Sequence, residues 1–133
     1  MTQGPRAQGS RPLSPHVQIY GVYLTMAFSF MHRISGFAIA SGLLLFTWWV
    51  TALARGPESF AVVQGVMQSF LGTLVLIGFT LAFFYHACSG IRHFVFDAGY
   101  GLDKVSIRQS AIFIGAAAIF LTVVFWLVIL VAA

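Results

Sequence analysis

At 133 residues the chain suits one domain, but 59% of it is hydrophobic, only 8% is charged and its mean hydropathy is +0.93. Globular domains carry roughly 25% charged residues, so the composition excludes an ordinary soluble fold and points to a surface that meets lipid or other protein. The net charge of +4 sets seven scattered Lys and Arg residues, with no basic stripe, against three Asp and Glu, which argues against nucleic acid as a partner.

The first sixteen residues, MTQGPRAQGSRPLSPH, have no apolar stretch behind their arginines, as a secretory signal would, and lack the length and amphipathic pattern of an organelle transit peptide. They are expected to form a cytoplasmic segment, 1–16, ahead of a membrane domain over 17–133. Crossing a hydrocarbon core of about 30 Å takes roughly 20 apolar residues as a helix, since lipid offers the backbone no hydrogen-bond partners. The first such run is Ile34 to Leu53, preceded by the apolar stretch Val17 to Met31, from which His32 and Arg33 divide it. The second begins after the turn-forming pair Gly56 and Pro57, extends without a charge from Phe60 to Ile91 and closes at Arg92 and His93. It exceeds one span, so it is expected to tilt or to project from the bilayer around Gln64 and Gln68. Asp97, Gly99 and Gly101 lead to the third run, Ile112 to Ala133, with Gly99 expected to end a helix or form a turn. The resulting fold class is an all-α membrane protein with three transmembrane helices, at about 30–53, 63–91 and 110–132, plus a short N-terminal interfacial segment.

Arg6, Arg11, Arg33, Arg92, Lys104 and Arg108 fall on one side of this topology and Arg55 alone on the other. By the positive-inside rule the N-terminus and the loop after the second span face the cytoplasm or its equivalent. Trp48, Trp49 and Trp126 suit the outer interface or simple packing.

A passive anchor needs no polar side chains, yet Ser29, His32 and Arg33 open the first span while His86, Arg92 and His93 close the second. His86 lies six residues before Arg92, about 9 Å deeper along a helix. An intramembrane histidine either hydrogen-bonds to a neighbouring helix or ligates haem iron. Small Gly90, beside Phe83, Phe84 and Tyr85, would help to admit and cover a flat macrocycle. His93 follows His86 by seven residues, on nearly the same face but about 10 Å away in height, so the two cannot ligate one iron. A second ligand would come from His32 or from another chain, the latter favoured because His32 adjoins the charge of Arg33. Ser29 and Arg33, four residues apart, share a helix face and would offer donors to a quinone head group, or else packing and a lipid-phosphate contact. Asp97 is expected to pair with Arg92 or to orient the loop. Cys88, the single cysteine, reads as a small packing residue.

Three ordered motifs resemble the succinate dehydrogenase cytochrome b family. They are RPLSPHVQIY over Arg11 to Tyr20; Ser29, His32, Arg33, Ser35 and Gly36, matching S-x-x-H-R-x-[ST]-G; and His86, Gly90, Ile91, Arg92, His93, Asp97 and Gly99, matching H-x-x-x-G-[IL]-R-H-x-x-x-D-x-G. The resemblance implies that the chain is half of a heterodimeric helical anchor in a succinate:quinone oxidoreductase. It implies one haem b, ligated by His86 and by a histidine of a companion small anchor subunit, with His32, Arg33 and His93 near its propionates. It implies a ubiquinone site that includes Ser29 and Arg33 and is fed by an iron–sulfur subunit and a flavoprotein subunit. The chain itself has neither a dinucleotide fingerprint nor a cysteine cluster, so no activity is expected of it alone. A bacterial inner membrane is expected ahead of a mitochondrial one. A fumarate reductase-type anchor, running the chemistry in reverse, is the alternative. A transporter path would need polar residues across the bilayer, and the third span offers little beyond Thr122.

Overall fold

The computed structural model of the chain describes residue 21 and residues 23–132; the 1–16 segment and the motif at Arg11 to Tyr20 lie outside the described residues. Four helices follow in order: α1 (Leu24–Arg55), α2 (Pro57–Gln68), α3 (Phe70–Asp97) and α4 (Lys104–Ala132). α1, α3 and α4 are each long and apolar enough to cross a membrane, so the protein is an all-α bundle of three spanning helices. Their 28 to 32 residues run about 42 to 48 Å, well past a core of about 30 Å, which carries both ends into the polar zones.

α1 runs unbroken through His32 and Arg33, joining the apolar stretches on either side of this pair. Neither residue bars helical backbone, so the polarity there marks depth rather than a boundary. The long run after Gly56 is instead divided at Ser69, whose backbone is extended (φ −62°, ψ 158°). Ser69 caps α3 by accepting the Gly72 N–H at 3.1 Å while its hydroxyl donates to the Val66 carbonyl at 2.6 Å. Any side chain at Gly72 would run into the Val66 and Met67 carbonyls, so the sharp corner requires glycine there.

Gly56, at φ +112°, turns the chain between α1 and α2 in a conformation that side chains resist, and Pro57 starts the new helix. α2 then folds back on α1, burying Val63 and Ala52 and setting Phe60 edge-on to Trp49 at 5.7 Å. At the far end of α3, Gly99 (φ +84°) accepts the left-handed position of a Schellman turn. Its N–H bonds to Phe96 O and that of Tyr100 to Val95 O, as the glycine led one to expect. Asp103 then caps α4 by accepting the Ser106 N–H at 2.9 Å.

α3 stands between α1 and α4, and its contact with α4 is the largest in the bundle. The residues buried on α4 are Ala111, Ile114, Ala118 and Thr122, and on α1 Gly42 packs directly on Phe79. Close approach of helix backbones through small residues is how helices associate where lipid removes the hydrophobic drive. Most large apolar side chains point outward, toward lipid or other chains.

Candidate functional site: a histidine cluster at the polar end of the bundle

The N-terminal part of α1, the C-terminal part of α3 and the start of α4 meet at one end of the bundle. There the structure brings together His32, His86 and His93. The His32 and His86 rings stack almost parallel, 12° apart, with centroids at 4.2 Å; the His93 ring lies 5.2 Å from His32, tilted by 56°. Among the described residues no group of His, Cys, Asp or Glu is arranged to hold a metal ion on its own.

His86 is the most constrained of the three. Its Nδ1 lies 3.1 Å from Ser35 Oγ and 3.3 Å from the His32 carbonyl. The Ser35 hydroxyl proton is directed at that same carbonyl, 2.7 Å away, and a carbonyl can only accept. Both neighbours therefore accept from His86 Nδ1–H, which in the neutral ring leaves the lone pair on Nε2. No hydrogen bond to Nε2 occurs among the described residues. The ring can press this closely on α1 because residue 36 is glycine: a Cβ there would sit 2.9 Å from His86 Cε1.

The stacked His32 and His86 rings, 4.2 Å between centroids, leave no gap between them for a metal ion as they stand here. His32 Nδ1 is buried without a hydrogen-bond partner among the described residues.

Ser29 and Arg33 lie on the exposed side of α1, one turn apart, and neither side chain bonds to another described residue. They are adjacent to the cluster in sequence but not enclosed in it. Arg92 turns away from the histidines: its Nε donates to Ser110 Oγ at 2.9 Å and its Nη2 to the Ile107 carbonyl at 2.8 Å, while the guanidinium lies 4.4 Å over the Phe96 ring. Arg92 thus ties α3 to α4, and no ion pair with Asp97 forms among the described residues. At i to i+5 the two side chains leave the helix on different faces.

Two residues of this end, Ser35 and Gly36, had carried no role beyond their place in a motif. Ser35, 5% exposed, is a polar group inside an apolar span, which is the signal that identifies it. Gly36 shows its importance only when α3 is in place. Tyr85, read from sequence as an aromatic cover, donates its hydroxyl to the Phe28 carbonyl at 2.8 Å and stacks near the Phe28 ring, tying α3 to the turn of α1 that carries Ser29. Gly90, in contrast, has nothing within 4 Å of where its Cβ would be.

The succinate dehydrogenase/fumarate reductase transmembrane subunit family matches residues 8–125. Over 104 residues the chain is 42% identical to a succinate dehydrogenase cytochrome b556 subunit of Paracoccus denitrificans, covering 78% of this chain and 80% of that one. It is 38% identical over 118 residues to the mitochondrial succinate dehydrogenase cytochrome b560 subunit of Bos taurus, covering 86% and 66%. The corresponding b560 subunit of Reclinomonas americana is 32% identical over 124 residues, covering 90% and 86%.

Proposed function

The chain belongs to the succinate dehydrogenase/fumarate reductase transmembrane subunit family, and from that premise we propose that it binds haem b through His86 and offers Ser29 and Arg33 to a quinone. It is a non-catalytic membrane-anchor subunit, so succinate oxidation belongs to its companions: a flavoprotein subunit and an iron–sulfur subunit that hands electrons on toward the membrane.

The observation that carries the haem reading is the state of His86. Its Nδ1–H is held by Ser35 Oγ and the His32 carbonyl, which fixes the ring and presents Nε2 as a neutral donor inside the spanning region. That donor fits a haem, which His86 would hold through Nε2. The second ligand would come from the companion small anchor subunit. His32, Arg33 and His93 serve the propionate side: His32 brings an unpartnered Nδ1 and Arg33 a cation with no partner among the described residues. When bound, haem supplies a one-electron store beside the quinone. Small Gly90, open on its side of α3, leaves room for a flat group along the face that carries His86.

Ser29 and Arg33 face outward at the same end of α1. A hydroxyl and a guanidinium one turn apart can donate to a quinone carbonyl oxygen and favour the negative charge that builds there as electrons arrive. Reduction takes two electrons and two protons, and this end of the bundle lies close to water, which delivers the protons. Arg33, Arg92, Lys104 and Arg108 share that end while Arg55 stands alone at the other. The positive-inside rule assigns it to the cytoplasmic face of a bacterial inner membrane or its mitochondrial equivalent. The same geometry serves the reverse reaction in a fumarate reductase-type assembly, with direction set by the quinone and the flavoprotein.

The test is a reduced-minus-oxidised optical spectrum of the purified complex. A haem b α-band in the wild type that is lost or displaced in His86→Ala supports the assignment, and an unaltered band in that variant refutes it.

A further inference from the structure

We propose that Ser35 is a positioning residue for the haem ligand: its hydroxyl, by accepting from His86 Nδ1–H, fixes which nitrogen of His86 faces the iron and tunes the redox potential there. The inference rests on the reading of His86 as ligand. Its evidence is local. Ser35 has a single hydroxyl proton, and that proton is committed to the His32 carbonyl at 2.7 Å. The lone pairs of Oγ are left toward α3, where His86 Nδ1 sits at 3.1 Å.

A serine that bonds back to its own helix is common and needs no function. What sets this one apart is that it is buried in an apolar span at the crossing of α1 and α3 and spends its remaining capacity on an imidazole. The His32 carbonyl is a second acceptor for the same N–H, but at 3.3 Å it is the longer partner. Without the hydroxyl, Nδ1–H keeps only that contact. Nδ1–H then donates less charge, the ring becomes a weaker base at Nε2, and ferric iron, the more demanding state, loses more than ferrous. The midpoint potential rises.

The experiment uses the whole assembled complex, with redox titration of the haem α-band and haem-to-protein stoichiometry in Ser35→Ala, Ser35→Thr and Ser35→Val. Threonine and valine add nearly equal bulk, and only threonine keeps a hydroxyl. The expected result is a higher midpoint in Ser35→Ala and Ser35→Val, with Ser35→Thr close to wild type. A threefold to tenfold change in relative ferric affinity corresponds to about 28 to 59 mV for one electron. Haem lost from the alanine and valine variants and kept by threonine supports the same role. Unchanged potentials in alanine and valine, or equal shifts in threonine and valine, overturn it, since both leave the hydroxyl without effect. Parallel His86→Ala samples separate the two ideas: a wild-type band there defeats the ligand assignment itself, whereas an altered band together with indifferent Ser35 variants defeats this inference alone.

Discussion

Replacing Gly36 by alanine tests the packing that seats His86. The added Cβ would lie 2.9 Å from His86 Cε1 and 3.4 Å from Nδ1, where ordinary contact begins at 3.4 Å. The ring must therefore retreat by about 0.5 Å, which is the tolerance of a preorganised ligand set. Alanine in mid-helix gains about 1 kcal/mol over glycine, and overpacking costs about 1 to 3 kcal/mol. The net change in stability is thus small, from about zero to 2 kcal/mol. The readout that discriminates is haem. Cε1 lies between the two ring nitrogens, so its displacement moves Nε2 directly and should weaken haem retention by roughly tenfold with only a modest loss of thermal stability. Gly78→Ala is the control, because nothing lies within 4 Å of its Cβ position; it should keep full haem. Wild-type haem content and band position in Gly36→Ala would refute the claim that this glycine sets the ligand geometry.

Arg92→Gln should lower the stability of the purified chain or complex by about 2 to 3 kcal/mol in denaturant titration, since it removes charge-assisted bonds to Ser110 and Ile107; Ser110→Ala should cost about 1 kcal/mol, and the double variant less than the sum. Gly99→Ala forces a side chain into φ +84° and should cost about 1 to 2 kcal/mol, read by the same titration, with faster amide exchange at Tyr100. Asp103, outside the spans, is held below the usual carboxylate range by hydrogen bonding from the Ser106 hydroxyl and then its backbone N–H. A depressed folded value means that its contribution is complete above the unfolded pKa near 4 and fades as pH falls through the folded one. Protection of the Ser106 amide, relative to its intrinsic exchange rate at each pH, should fall below about pH 4 in the wild type and stay level over that range in Asp103→Asn. Because the carboxylate is fully exposed, added salt should shrink the effect.

The spans and their order were legible because each depends on composition along the chain, and the Gly99 turn because it depends on one residue's backbone freedom. His86 and His93 could be set on one face by their spacing of seven. Ser69 was not legible as a corner: the apolar run continues through it, and only the clearance at Gly72 against the Val66 and Met67 carbonyls shows why the helix breaks there. Arg92 was matched with Asp97 because they are near in sequence, yet its partners, Ser110 and Ile107, are on another helix. Gly36, against which the imidazole packs, carried no such role in the sequence. Which glycine a neighbour presses against follows from how helices cross, and that information is not local.

The distribution of side-chain hydrogen bonds says which half of the bundle is held in place. Every such bond between the spanning helices α1, α3 and α4 among the described residues lies at the histidine end: Ser35 and the His32 carbonyl with His86, Tyr85 with the Phe28 carbonyl, and Arg92 with Ser110 and the Ile107 carbonyl. The hydroxyls of Thr47, Thr51, Thr80 and Thr122 instead bond back to their own helices, which fixes no neighbour. Buried apolar residues are few and mostly small: Ala52, Val63, Ala111, Ile114 and Ala118. Away from the histidines, the helices are therefore held by close packing, which tolerates sliding better than a directed bond does. A polar bond between spans contributes about 0.6 to 2 kcal/mol, so the five together outweigh any one packing contact and act on the segment around His86. The directed bonds between spans thus gather around the histidine cluster, and close packing joins the helices elsewhere.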